Sequence, residues 1–212
     1  EQADVVIKVQ PPGPDEVQMM KEGTAYIGFM GPLTRPAVIH DFVRRRITGF
    51  SMEYIPRITR AQGMDALSSM ATVSGYKAVI IAAERMAKMF PLMMTAAGTI
   101  PPAMVLVLGA GVAGLQAVAT ARRLGAKVES FDPRPAVKEQ VKSLGATFID
   151  MEVTEDVETA SGYAKEQSEE FLKKERAVIA TRLPSTDAVI CTAQVFGKRA
   201  PVLLTSEMLK LL

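Results

Sequence analysis

A chain of 212 residues that is 48% hydrophobic and 23% charged has material for a sizeable core and is too apolar for a disordered tail. Its formal charge of +2, with the signs interspersed, leaves no electrostatic footprint for nucleic acid, which is not expected as a partner. The single cysteine, Cys191, ends the apolar run Ala188-Val189-Ile190-Cys191 and is expected to be a buried reduced thiol, so nothing argues for disulfides or secretion.

The chain opens at Glu1 without Met and runs at once into a strand pattern at 4–9, which suggests a piece of a longer protein. A Pro-rich turn at 11–14 leads to a helix over about 16–21 and a strand around 25–30. After Gly31-Pro32 come a helix over about 35–46 and a strand near 49–54. Alternating strands and helices predict a parallel sheet. Residues 57–63 form a polar connection. Apolar residues at helical spacing from about Met64 to Met89 (Leu67, Met70, Ala71, Val73, Ala78, Ile81, Ala82) then predict one long helix, or two joined at Gly75. The domain boundary is placed near Asp65, giving domains 1–64 and 65–212.

Between Phe90 and Ala121 no residue is charged, yet Pro91, Pro101, Pro102 and a Gly-rich turn break the run, so no membrane span is expected. A β-rich loop at 93–102 leads into an uncharged strand at 103–108 of the doubly buried parallel kind. Helix 113–124 stops at Gly125, strand 127–131 follows, and helix 135–144 stops at Gly145 before strand 147–150. The charged stretch 151–162 lacks a pattern. A helix over about 163–182, a strand at 187–192 and a helix from Thr205 complete the chain.

The motif Gly109-Ala110-Gly111-Val112-Ala113-Gly114 follows the buried strand, opens a helix and precedes a strand that ends in Asp132, 18 residues after Gly114. In that context a G-x-G-x-x-G motif reads as a dinucleotide turn: Gly109 for the turn, Gly111 for close approach of a pyrophosphate, Gly114 for helix–strand packing. Asp132 stands where a carboxylate accepts a ribose hydroxyl and repels a 2′-phosphate, which favours NAD(H) over NADP(H). Arg134 could attract such a phosphate, but is expected over the adenine side or facing solvent. His40, the only histidine, sits on a helix run beside Asp41 and reads as a surface or packing residue. Around the connector, Arg57, Gln62, Asp65 and Ser68 admit two readings. They are ordinary loop and first-turn residues, or a polar cluster at a domain junction of the kind that receives a nicotinamide.

Several segments taken together, Pro56 to Ala71, Ala96-Ala97-Gly98-Thr99-Ile100-Pro101-Pro102-Ala103, Lys138 to Ala146, Gly162 to Glu166 and Gly197 to Leu203, resemble the NAD(H)-binding alpha-subunit domain of proton-translocating NAD(P) transhydrogenases, within the alanine dehydrogenase/transhydrogenase family. The resemblance covers essentially the whole chain. It implies an α/β protein of two Rossmann-like domains with parallel sheets, the first only partly present here and the second cut short at its C-terminal end. It also implies hydride transfer between NAD(H) on this chain and NADP(H) on a partner domain, coupled to proton movement through a membrane domain. The chain would be a peripheral homodimer on the cytoplasmic face of a bacterial inner membrane, or on the mitochondrial matrix face. By motif, Arg57 and Asp65 would address the carboxamide, Ser68 would support it, and Gln62 would reach toward the partner nucleotide. Gly109, Gly111, Val112 and Gly114 would hold the pyrophosphate, and Asp132 and Arg134 the adenosine end. Gly162 and Tyr163 would belong to a loop that closes over the nucleotide. Gln194 is counted among the binding residues although the family often carries an apolar residue there. No metal site is assigned. The alternatives are an alanine dehydrogenase, whose substrate histidine would follow the strand that here runs into Gly31-Pro32, and an NAD-binding subunit without turnover.

Overall fold

The computed structural model describes residues 2–151, 167–195 and 199–212. Backbone contacts divide it into two compact units, Glu1–Ser69 and Met70–Leu212.

In the first unit, three short strands, β1 (Val5–Lys8), β2 (Ala25–Gly28) and β3 (Thr48–Ser51), pair in parallel in that order. The helices α1 (Pro14–Met19) and α2 (Pro36–Arg44) join them. Both helices begin where proline is tolerated, in the first turn, since its missing N–H would have no partner there. Glu16 of α1 reaches back to accept the Gly13 backbone N–H at 2.7 Å. Their apolar faces meet in a small core of Val17, Met20, Tyr26, Val38, Phe42 and Ile47, with the Tyr26 and Phe42 rings edge to face at 5.3 Å. The third strand is shorter than the sequence pattern suggests: the backbone leaves the sheet after Ser51 and turns as a 3-10 segment over Met52–Tyr54.

The long helix forms without a break as α3 (Ala66–Arg85). Gly75 does not divide it, because its bare Cα faces outward onto α4 (Val112–Arg123): a Cβ there would stand 2.1 Å from the Ala113 carbonyl oxygen. The face that packs is Gly75, Ala78, Val79 and Ala82, which does not take in every apolar residue at helical spacing. Met70, Val73, Tyr76 and Ile81 lie exposed. Helix α3 is long and apolar enough by length and composition to cross a bilayer. Its small-residue stripe accounts for part of that apolarity by packing into the second unit's core. The uncharged stretch from Phe90 onward is no span but an exposed antiparallel hairpin, β4 (Met93–Thr95) and β5 (Gly98–Ile100), followed by β6 (Met104–Leu108) and α4.

Four parallel strands form the second unit's sheet in the order β8-β7-β6-β9, with β7 (Lys127–Phe131), β8 (Thr147–Ile149) and β9 (Ala188–Cys191) flanking the doubly buried β6. One face carries Val105 and Val107 against α3, α4 and α5 (Lys138–Ser143), and the other carries Leu106, Leu108 and Phe131 against α6 (Glu169–Ala180). The strand order reverses between β6 and β9, the switch point outside which open α/β sheets bind ligands. Residues 205–212 hold only a 3-10 turn, Met208–Leu211, in place of the expected helix. Cys191 is exposed at the end of β9 rather than buried, although partial burial still pushes the thiol pKa up.

Candidate dinucleotide site

At the switch point the glycine turn is built mostly by its own backbone. Gly109 takes a positive φ of 95°, donates its N–H to Phe131 at 2.8 Å, and offers its carbonyl to the Thr192 hydroxyl at 2.9 Å. A Cβ on Gly114 would fall 1.8 Å from that same carbonyl oxygen. Both glycines are thus required by the fold alone. Gly111 is different. Its φ of −75° suits any residue, and among the described residues a Cβ on it would meet only the tip of Arg134, at 4.0 Å. No described residue requires a glycine there, and the space a Cβ would fill lies at the N-terminus of α4, where the helix dipole favours an anion. Val112 opens that helix, partly exposed.

Asp132, just past β7, is buried, and both its oxygens are engaged. Oδ1 accepts the backbone N–H and Nε–H of Arg134, each at 2.9 Å, while Oδ2 accepts Arg134 Nη2 at 2.8 Å and the Ala110 N–H at 2.7 Å. Arg134 therefore does not face solvent. It is folded back as a fork on Asp132, a bidentate pairing that four donors on one carboxylate saturate.

In the first unit, Asp65 caps α3: its Oδ1 accepts the Ser68 backbone N–H at 2.9 Å and its Oδ2 the Ser68 hydroxyl at 2.6 Å. These bonds from Ser68, aided by the Arg57 charge, hold the Asp65 carboxyl below the usual carboxylate range. Arg57 adds what a cap does not need, with Nη2 at 3.2 Å from Ser68 Oγ and Nε at 3.9 Å from Asp65 Oδ2. Three of the four connector residues are brought together, and Gln62 stands exposed in the 3-10 turn that leads into Asp65.

Gln194 is exposed beyond β9. Gly162 and Tyr163 lie outside the described residues. Two residues that sequence reasoning missed bear on the turn. Thr192 locks it from the neighbouring strand, and Glu175 is 2% exposed on the sheet-facing side of α6. A carboxylate between Leu172 and Ile179, at helical spacing in an apolar stripe, was the signal for the second. After β2, where an amino-acid dehydrogenase of this architecture would place its histidine, Glu53 accepts the Met30 and Gly31 N–H groups at 2.8 and 2.6 Å and pins the Gly31-Pro32 turn. His40 is exposed on α2.

A parallel sheet ordered 3-2-1-4 about a glycine turn and an acidic second-strand end defines a Rossmann-type dinucleotide-binding protein. The particular family follows from comparison. Residues 1–74 match the N-terminal and residues 78–212 the C-terminal domain model of alanine dehydrogenase/PNT, and the chain belongs to that family. It is 54% identical over 214 residues to an NAD(P) transhydrogenase alpha-subunit polypeptide of Rhodospirillum rubrum, covering 98% of this chain and 56% of the relative. The crystal structure of transhydrogenase from Sinorhizobium meliloti superposes with a TM-score of 0.83 at 45% identity, over 99% of this chain and 55% of that one. An alanine dehydrogenase of Methanococcus maripaludis is 24% identical over 98% of this chain and 51% of its own. The chain spans about half the length of the curated relatives it matches.

Proposed function

We propose that this chain is the NAD(H)-binding component of a proton-translocating transhydrogenase, passing hydride between NAD(H) held here and NADP(H) on a partner domain, with proton movement coupled through a membrane domain. The single observation that carries the cofactor reading is the open space at Gly111: the fold does not need it, and a pyrophosphate at the α4 N-terminus would use it. Asp132 fits the adenosine ribose, provided that Arg134 yields part of its fork to the hydroxyls. Arg134, released from Asp132, lies within reach of the same turn and would address the negative charge of the nucleotide.

The bound nicotinamide supplies the hydride donor or acceptor. Exchange between two nicotinamides frees no proton at the reacting carbons, so the chain's task is to orient and to exclude water rather than to act as acid or base. Arg57, Asp65 and Ser68 form a donor–acceptor set suited to a carboxamide, which has both kinds of group. The exposed Gln62, three residues before Asp65, would reach toward a second nucleotide. An exposed His40 and a pinned Gly31-Pro32 turn offer no proton acceptor for amino-acid oxidation, which disfavours the dehydrogenase alternative. The similarity to transhydrogenase alpha subunits, about twice the identity to an alanine dehydrogenase, supports the same choice. Exposed apolar residues on α3 and on the β4–β5 hairpin, among them Val73, Tyr76 and Met94, support a homodimer. The chain would sit peripherally on the cytoplasmic, or matrix, face of the membrane.

The test is to combine the full chain with an NADP(H)-binding partner domain and follow hydride transfer from NADH to an NADP analogue, with pyruvate and ammonium as the control. Transfer only to the analogue is expected. Turnover only in the control would establish an amino-acid dehydrogenase, and NADH binding without either reaction a non-catalytic subunit.

A further inference from the structure

The dinucleotide reading leaves one buried ionisable group unused. Glu175 is 2% exposed, between Leu172 and Ile179 on the face of α6 that packs against Leu106, Leu108 and Phe131. Its place over the sheet follows from two lengths. Arg182, just past the end of α6, pairs with Glu129 of β7 at 3.7 Å. From Arg182 back to Glu175 a helix rises roughly 10 Å, and from Glu129 forward to Asp132 a strand rises roughly 10 Å. Glu175 thus comes toward the Asp132 end of β7, near enough for the Asp132 charge to act on it.

The other charges on the elements around α6 are already committed. Arg134 is bound to Asp132, Glu129 to Arg182, and Lys138 to Asp150 at 2.6 Å. Arg176, the next residue on α6, turns its Nε–H to the Val202 carbonyl at 2.8 Å, and its charge only partly offsets the burial of its neighbour. Lys173, Lys174, Glu207 and Lys210 are exposed. Among the described residues, no cation is set aside for Glu175.

We propose that Glu175 is a positioning residue for the adenosine end, whose neutral carboxyl form lets Asp132 meet the nucleotide, so that NAD(H) binding is accompanied by proton uptake at Glu175. The inference rests on the NAD(H) reading. The physical reason is charge balance. As long as Arg134 grips Asp132, the pair is neutral. When ribose hydroxyls displace part of that fork, Asp132 loses counter-charge while a pyrophosphate brings more negative charge to the turn. A second carboxylate near Asp132 in a buried site is then strongly disfavoured, and a neutral Glu175 is tolerated. Burial and the Asp132 charge already push the Glu175 pKa up to about 7, so the group is set to respond around neutrality. Linkage is reciprocal: if the nucleotide raises proton affinity at Glu175, a proton raises nucleotide affinity.

The experiment titrates NADH into the full chain from about pH 6 to about pH 8.5, by cofactor fluorescence. Affinity is expected to weaken about five- to ten-fold across that range. In Glu175→Gln the profile is expected to flatten, with binding at the upper pH as tight as that of the unmodified chain at the lower. Calorimetry of the unmodified chain in two buffers of different ionisation enthalpy reads the proton directly, and would show uptake near neutrality even if the variant failed to fold. A pH-independent affinity without proton uptake, or a slope unchanged in Glu175→Gln, would overturn the proposal. Absence of NADH binding at every pH would instead sink the cofactor reading on which it stands.

Discussion

The glycine turn of the second unit is held in shape from all sides by the protein, whereas the Arg57–Ser68 segment of the first is held by a helix cap and one long guanidinium. At the turn, strand β7 supplies an acceptor for Gly109, Thr192 supplies a donor, and Asp132 takes the Ala110 N–H. Around Asp65 the carboxylate accepts from Ser68, three residues on, and Arg57 joins from a loop with its side chain about a third exposed. The difference teaches where to expect rigidity and where adaptability. A pyrophosphate needs preformed backbone geometry; a nicotinamide that must meet a second nucleotide can be served by side chains that adjust.

The comparison breaks most visibly if the turn proves tolerant. Gly114→Val forces carbon to 1.8 Å from a backbone carbonyl that neither strand nor helix can withdraw, and is expected to destabilise by more than about 3 kcal/mol in chemical denaturation, or to abolish folding. Asp132→Ala removes the buried carboxylate that accepts from the Arg134 guanidinium and the Ala110 N–H. A loss of about 3–5 kcal/mol is expected, together with loss of NADH binding. If Asp132→Ala melted like the unmodified chain, the fork would be ornamental.

A milder effect is expected from pH. An unfolded glutamate titrates near 4.5, while folded Glu175 titrates at about 7. Between those values the folded chain holds a proton that the unfolded chain has released, so the stability that Glu175 contributes is fully present below pH 4.5, falls as pH rises toward 7, and is lost above. The contribution is on the order of 3 kcal/mol. Melting curves of Glu175→Gln across that window should lack the decline that Glu175 imposes. Asp65 has the opposite sign. Its depressed carboxyl contributes stability that is present above about pH 4 and lost as pH falls further.

How much of this was legible without coordinates depends on whether the signal was local. The glycine motif, the buried β6 and the acid ending β7 are each written in a few consecutive residues, and the parallel sheet followed from their alternation, though not the order of its strands. The role of Gly111 was legible in kind, but only the packed structure separates it from Gly109 and Gly114, since the sequence shows three identical residues. Burial of Arg134 was missed because an arginine two residues from an aspartate reads as a surface charge until the strand end folds it inward. On α3 the apolar spacing was wide enough to fit several faces. Only contact with Ala113 selects the one through Gly75, leaving Met70, Val73, Tyr76 and Ile81 outside. Cys191 was misread for a related reason: an apolar run predicts a buried strand, but not how far cover extends past its last residue.

Gly111→Ala sharpens the contrast within the turn. With 4.0 Å of room to Arg134 and an ordinary φ, the methyl should change stability by less than about 0.5 kcal/mol. NADH affinity should nevertheless fall at least tenfold, because the methyl stands where the pyrophosphate approaches. Unchanged NADH affinity would mean that the space beside Gly111 has no occupant.

The smallest effect on stability, and the one that decides what the first unit's segment is for, is expected from Asp65→Asn. Asparagine caps a helix about as well as aspartate, so the bonds to Ser68 can persist and stability should stay within about 0.5 kcal/mol; Asp65→Ala should cost about 1 kcal/mol. What asparagine removes is the charge facing Arg57. If the segment is only a cap, Asp65→Asn leaves hydride transfer as it was, and Asp65→Ala lowers it no further than its lost stability explains. If the segment orients a nicotinamide, both variants slow transfer alike, as does Arg57→Ala, while NADH still binds by its adenosine end. Parallel loss of transfer in three variants that differ in stability cannot come from the helix, because the cap survives in two of them, Asp65→Asn and Arg57→Ala.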